Sequence, residues 1–513
     1  MKETRRDFIK KTGGCALGMV SLATQMQHLG AMTAMAQKVI DSEKTDGTIT
    51  DYKALVLLFW AGGNDGNNMI IPTHNDASIS NWATYSALRT PQANFGLAFT
   101  QAQLQNTEIT VPSIGGLTYG LHPSLGIQTQ NGTTIVNNGI HELYAQGKLA
   151  VVANVGTLAR PMTKTEYQNG SVLKPYQLFS HSDQVNQAQT SVSNTQAFTG
   201  WGGRLSDRMN STFNQPGGLI PMVTSIAGAQ LFTAGQLTLP MAIAQANNTG
   251  TSNLTTVLTP AGLSGTNQIV VARRNAFNAL RTLDLDSNYI QAASNVTDLA
   301  MQANTALQTS QDVTTQFPNT SIGLQLKQVA RLIKSKDSLN ISRQVFYVQV
   351  GSFDTHTTQL TAQANLMTQV SQAMRSFWDE LGVQGNQNNV TTFTLSDFNR
   401  TMNPAGVGGG NAGSDHAWGN HMFVMGGAVN GGDFYGSKRP DGSGNLYPTL
   451  VLAGPDDIDG GTNPRGRWLP TTSVDQYAVR LARWFGLAPG DEAAVFPNLQ
   501  FFSDTNTQLN FMQ

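Results

Sequence analysis

A chain of 513 residues with a single cysteine, Cys15, has little thiol chemistry open to it. Cys15 lies inside the leader described below, so the mature chain has no cysteine for a disulfide, a zinc–thiolate site or a nucleophile. Charge is scarce as well: 12% of residues are charged, and the net charge is −1. No basic cluster occurs beyond the first residues, so nucleic acid is not an expected partner. Long apolar runs are also missing. The stretch from Ala16 to Ala34 is interrupted by Gln25, Gln27 and His28, short of the roughly 20 apolar residues that a membrane-spanning helix needs. No membrane span is therefore expected once the leader is removed. No Gly-x-Ser-x-Gly elbow follows any candidate strand, which weighs against a metal-free Ser-His-Asp hydrolase.

The first residues are distinctive. Thr4-Arg5-Arg6-Asp7-Phe8-Ile9-Lys10 precedes the modestly apolar stretch, and Ala34-Met35-Ala36 has the small-x-small form of a cleavage site. Paired arginines in this setting mark twin-arginine export. That route carries folded proteins, so a metal can be loaded beforehand. The expected organisation is a signal peptide at 1–36, a polar linker at 37–50 and an α/β domain over 51–513. The expected location is periplasmic or extracellular.

Several apolar runs are continuous rather than alternating: Ala54–Trp60, Leu149–Val155, Val345–Val350, Val390–Leu395 and His421–Met425. Strands buried on both faces read this way, as in a mainly parallel sheet. Leu366, Val370, Ala373, Phe377 and Leu381 recur at helical spacing before Gly382. Ser473 with Gln476 forms a capping box ahead of Tyr477, Leu481 and Phe485, and Gly486 closes that helix. Strands alternating with helices predict a doubly wound α/β fold. Residues 205–340 are rich in Gln, Asn, Thr and Ala, with helical periodicity at Phe277–Leu283 and Ile322–Ile333. They read as a helical insertion or cap.

Open parallel sheets bind ligands at the carboxyl ends of their strands. Gly62-Gly63-Asn64-Asp65-Gly66 follows the first run, Gly351-Ser352-Phe353-Asp354-Thr355-His356 the one near 350, and Ser396-Asp397-Phe398-Asn399-Arg400 the one near 395. A glycine-rich loop then leads to Asp415-His416. The chain has eight histidines, one of them His28 in the leader, so His181, His356 and His416 in such places are informative. Carboxylates with imidazoles suit zinc, with manganese, magnesium or calcium as alternatives. Asp65, Asp354, His356, Asp397, Asp415 and His416 are the candidate metal ligands. Ser180, His181 and Arg400 are the candidate catalytic residues, Ser180 as the nucleophile beside His181 and Arg400 as the holder of an anionic oxygen. Each piece also has an ordinary reading: a turn at Asn64-Asp65-Gly66, a hydrogen-bonded pair at Asp354 and His356, a capped loop at Asp415-His416, a polar loop at Ser180, and a carboxylate bridge at Arg400.

These segments, with Val151–Gly156, Phe179–Gln184, Thr199-Gly200-Trp201 and Gly426–Gly432, resemble an exported bacterial family catalogued as domain of unknown function 1501, of the alkaline phosphatase-like superfamily. The resemblance covers nearly the whole mature chain. It implies a doubly wound sheet of alkaline phosphatase-like type, two metal sites and a Ser or Thr nucleophile. Asp65 then matches the first-strand ligand and Ser180 the nucleophile. Asp354 and His356 match one metal site, although their spacing is tighter than usual. Asp397 matches a later-strand carboxylate, where the family more often has Glu. His416 matches the late histidine, with Asp415 or His421 as substitutes. Phe398 stands where the superfamily frequently has a histidine. The setting of Ser180 lacks the Cys/Ser-x-Pro-x-Arg pattern of formylglycine sulfatases. The expected function is metal-dependent hydrolysis of phosphate or related esters, with a small anionic ester or a polysaccharide-derived substrate. The alternative is a non-catalytic protein that binds an envelope partner.

Overall fold

The computed structural model describes residues 51–90, 96–127, 137–214, 218–238, 240–247, 266–281, 302, 312–405 and 411–513. The expected leader and linker lie outside the described residues. Strands run in chain order as β1 (Lys53–Trp60), β2 (Ile70–Pro72), β3 (Glu108–Val111), β4 (Leu117–Leu121), β5 (Leu149–Gly156), β6 (Val223–Ser225), β7 (Met241–Ala242), β8 (Arg343–Val350), β9 (Val390–Ser396), β10 (Asn420–Gly426), β11 (Phe434–Ser437), β12 (Thr472–Ser473) and β13 (Thr507–Gln508). The longer helices are α1 (Trp82–Arg89), α2 (His181–Thr190), α3 (Trp201–Phe213), α4 (Gln268–Arg281), α5 (Ser321–Lys334), α6 (Gln359–Val383) and α7 (Val474–Phe485).

The apolar run of β1 is continuous because both of its faces are covered. Ala54, Val56, Leu58 and Trp60 point into one core with α5 and α6, through Leu326, Val329, Val370 and Phe377. Leu55, Leu57 and Phe59 point into a second core with α3 and α7, through Leu205, Met209, Tyr477 and Leu481. Helices thus flank the sheet on both sides. The ten-stranded sheet has the order β13-β11-β5-β10-β9-β1-β8-β6-β7, with β12 also paired to β5. All its strands run one way except β10 and β13. This is the expected α/β fold with a mixed, mostly parallel sheet. A smaller antiparallel sheet, β2-β4-β3, packs beside it.

The predicted capping box at Ser473 and Gln476 opens α7, and Gly486 ends it in the left-handed conformation. Two features differ from the sequence reading. The run at 421–425 is β10, antiparallel to both neighbours, and a continuous apolar strand carries no sign of its direction. The segment at 205–340 is not a separate helical cap in its described parts. β6 and β7 extend the main sheet beyond β8, and α5 packs along α6 in the core. Strands of two and three residues are too short to show periodicity. No helix among the described residues is long and apolar enough to cross a membrane.

β8 and β9 both pair in parallel with β1, one on each side. The crossover through α6 therefore passes over β1, and the loops leaving all three strands meet at one edge. That geometry makes a crevice at the carboxyl ends of the central strands.

Candidate functional site

Close backbone approach builds the crevice. Gly62 has φ +113°, and a Cβ there would lie 2.5 Å from the Asp354 amide nitrogen. A Cβ on Gly413 would lie 2.0 Å from the His356 carbonyl carbon. Any side chain at either position would push the β8 loop away from its neighbours. Phe179, just before α2, has φ +70°, a conformation that costs a bulky residue on the order of 1–3 kcal/mol. In this conformation its carbonyl accepts a hydrogen bond from His416 Nδ1 at 2.8 Å.

Three imidazoles gather around Asp354. His181 Nε2 is 3.5 Å from Asp354 Oδ2. His356 Nε2 is 3.0 Å and His416 Nε2 3.5 Å from Asp354 Oδ1. His356 Nε2 and His416 Nε2 lie 3.2 Å apart. One ligand atom each from His181, Asp354 and His416 falls within 4.8 Å of the others. The opposite ring nitrogens face oxygens: His181 Nδ1 meets Asp397 Oδ2 at 2.8 Å, and His356 Nδ1 meets Asp415 Oδ1 at 3.4 Å. With Nδ1 donating in His181 and His416, the neutral tautomer leaves a lone pair on each Nε2, that of His416 also facing His356 Nε2. Those lone pairs face a carboxylate, an arrangement that calls for positive charge between them.

Electrostatics follow from these contacts. Burial alone would raise the Asp354 pKa, but the hydrogen bond and charge of Arg400, then His356 and His181, outweigh it and hold the carboxyl below its usual range. The hydrogen bond to Asp397 raises His181 against the opposing effect of burial. Burial lowers His416.

The donor set fits a divalent cation. His181 Nε2 is a buried polar atom with no hydrogen-bond partner. Zinc bonds near 2.0–2.1 Å imply ligand atoms roughly 3.3 Å apart in a tetrahedron, against 3.5 Å from His181 Nε2 and from His416 Nε2 to an Asp354 oxygen. An oxygen behind each imidazole is the usual support for a metal-bound histidine.

Other expected residues take different places. Asp65 is fully buried and paired with Arg89, and it also accepts from Gln359 Nε2 and from the Asn67 backbone at 3.1 Å. It is thus saturated by protein donors and stands apart from the cluster. Asp397 spends one oxygen on His181 and the other on the Gly62 amide at 3.1 Å, so it supports an imidazole rather than facing the crevice. Asp415 sits between His356 and Arg465, whose Nη2 is 2.9 Å away. Arg400 does not present itself to an external anion. Its side chain is fully buried and reaches Asp354 Oδ1 at 2.7 Å and the Ser414 carbonyl at 2.6 Å. The Ser180 hydroxyl donates to Asp183 Oδ2 at 2.5 Å, at the start of α2. His421 is buried below the crevice, stacked on Tyr447, with its pKa pushed down to about 3 by burial. The Phe398 ring lies against the rings of His181 and His416, at 4.8 and 4.6 Å between centroids. The sequence reading missed the Phe179 carbonyl, Arg89, Gln359 and Ser414. A backbone carbonyl leaves no trace in composition, and Arg89 and Gln359 lie in unremarkable helical sequence.

Comparisons with known proteins come at low similarity for solved structures. The chain is similar to the PsFucS1 sulfatase from Pseudoalteromonas sp. at 8% identity and TM-score 0.25, covering 80% of this chain and 68% of that one. It is similar to a mutant alkaline phosphatase PafA at 13% identity and TM-score 0.21, covering 69% of this chain and 64% of that one. No curated protein matches. Residues 52–450 match the family described as protein of unknown function (DUF1501), and the chain belongs to that family.

Proposed function

We propose that this protein is a metal-dependent hydrolase of phosphate or related sulfate or phosphonate esters, with one divalent cation, zinc first, held by His181, Asp354 and His416. The observation that carries the reading is the convergence of two Nε2 atoms on one carboxylate, each imidazole braced from behind by an oxygen. A bound cation there would lower the pKa of water and stabilise negative charge developing on the ester. Asp397 and the Phe179 carbonyl fix the tautomers of His181 and His416. Buried Arg400 keeps Asp354 ionised. His356, half-exposed at the crevice edge, is placed to pass a proton at Nε2, with Asp415 holding its Nδ1. Water is the favoured nucleophile, because the Ser180 hydroxyl is engaged with Asp183. The substrate is a small anionic ester or one derived from a polysaccharide.

The test is hydrolysis of p-nitrophenyl phosphate, bis-p-nitrophenyl phosphate and p-nitrophenyl sulfate by the zinc-loaded protein. Turnover that chelator abolishes, and that Asp354→Ala and His356→Ala both lose, supports the reading. Turnover indifferent to chelator and to both substitutions contradicts it. A second reading, a non-catalytic binding or assembly protein with an envelope partner, draws on Phe398. An apolar ring packs against two of the imidazoles where a further ligand would enlarge the site. A protein that retains zinc, turns over none of these esters and captures a partner in pull-down favours it.

We also propose export by the twin-arginine route to the periplasm or beyond, on the strength of Arg5-Arg6 and the apolar stretch that follows. Substituting Arg5→Lys together with Arg6→Lys should retain the protein in the cytoplasm, and unchanged export would oppose the proposal.

A further inference from the structure

The buried Asp65 group is wired to the metal ligands through a chain of hydrogen bonds with a fixed direction. Asp65 accepts from the side-chain nitrogen of Gln359, the first residue of α6. A carboxylate can only accept, so the Gln359 amide must turn its nitrogen toward Asp65 and its oxygen away. That oxygen accepts the Ser414 hydroxyl at 2.5 Å. Ser414 is fully buried and contacts the loops after β8 and β9 that carry Asp354 and Arg400. Its amide donates to the Thr355 carbonyl at 3.2 Å, between Asp354 and His356. Its carbonyl accepts from Arg400 Nη2 at 2.6 Å, and Arg400 Nη1 holds Asp354. Two residues further on lies His416, bridged to the Arg400 backbone.

We infer that Asp65, Gln359 and Ser414 form a positioning relay: Asp65 sets the Gln359 amide, which sets the Ser414 hydroxyl, which locks the loops of Asp354, His356 and His416 in register for metal binding. Asp65 would thus contribute to metal affinity without touching the ion. The inference rests on the metal reading above. A group in the loop after β1 thereby acts through α6 on loops after β8 and before β10.

Asp65→Asn risks the fold itself, because Arg89 would lose its countercharge. Ser414→Ala avoids that risk, and Ser371→Ala is the control: Ser371 is equally buried and hydrogen-bonded, to the Leu125 carbonyl and the Ile140 amide. The measurements are zinc affinity by competition with a chromophoric chelator, the visible spectrum of bound Co²⁺, and the melting temperature of each metal-free protein. Ser414→Ala should weaken zinc about tenfold, in the range found for outer-shell partners, and should alter the cobalt spectrum. Ser371→Ala should lower the melting temperature comparably and leave both metal readouts unchanged. The relay is overturned if Ser414→Ala binds zinc within twofold of the wild type, or if Ser371→Ala loses as much. If the wild type takes up neither zinc nor cobalt, the metal reading itself falls and the relay falls with it.

Discussion

Asp65 leaves β1 and Asp354 leaves β8, two strands that lie side by side, and the two carboxylates end in opposite surroundings. Asp65 is fully buried and every contact it makes is with a donor: Arg89, Gln359 and a backbone amide. Asp354 is 43% exposed, and beyond Arg400 it faces three imidazole nitrogens, of which those of His181 and His416 are acceptors in their neutral tautomers. A carboxylate saturated by donors is finished as structure. A carboxylate facing other lone pairs still requires a cation. The type of group facing the acid, more than the acid itself, separates scaffold from site.

Substitutions at these positions can break that contrast. The largest expected effect is from Asp65→Ala. It strands Arg89 as a buried unpaired charge and should destabilise the protein by about 3–5 kcal/mol, read as a shift in urea unfolding with and without zinc. A loss under 1 kcal/mol would place Asp65 outside the scaffold. Asp354→Ala also takes the carboxylate from a buried arginine, Arg400, but from its exposed side, so urea unfolding of the metal-free protein should move by a smaller amount, about 1–3 kcal/mol. Its zinc affinity should fall by more than about 100-fold, beyond the loss usual for supporting residues. Asp397→Asn keeps the shape behind His181 while removing the charge, so zinc affinity should drop roughly 10- to 100-fold. An unchanged affinity would deny Asp397 its supporting role.

Asp475 offers a third acid, intermediate between the two. It is buried at the start of α7 with neither oxygen in a well-formed hydrogen bond, although Ser191 stands near enough to offset part of the cost. Burial pushes its pKa up to about 7. A raised folded-state pKa stabilises the fold below the unfolded value and loses that contribution as pH rises through about 7. Unfolding free energy should therefore decline between pH 5 and pH 8. Asp475→Asn should flatten the decline and gain on the order of 1–2 kcal/mol at pH 8, less than the full shift because a buried amide also needs partners. Parallel pH profiles for the two proteins would contradict this.

Much of this fold was legible in the chain. The apolar runs at 54–60, 149–155, 345–350 and 390–395 are core strands because both faces of the sheet are covered, and that burial writes itself into composition. Ser473 and Gln476 announced α7 by chemistry that acts locally. β6 and β7 were illegible, since strands that short are decided by pairing: β6 by β8, more than 100 residues away, and β7 by β6 in turn. The site divided in the same way. Strand exits bearing Asp and His identified Asp354, His356 and His416 as candidates, and the structure brings them together. Their sequence neighbourhoods could not separate Asp65 and Asp397 from them. The difference lies in Arg89, Gln359 and His181, which reach those carboxylates from distant segments.

The most direct test is a calorimetric titration of zinc into the full-length, chelator-stripped protein, alongside His416→Ala and His356→Ala. The expected result is a single zinc ion bound per chain, retained in His356→Ala and lost in His416→Ala. Absence of binding in the unsubstituted protein, or equal binding in all three, would contradict the convergence of His181, Asp354 and His416 on one cation.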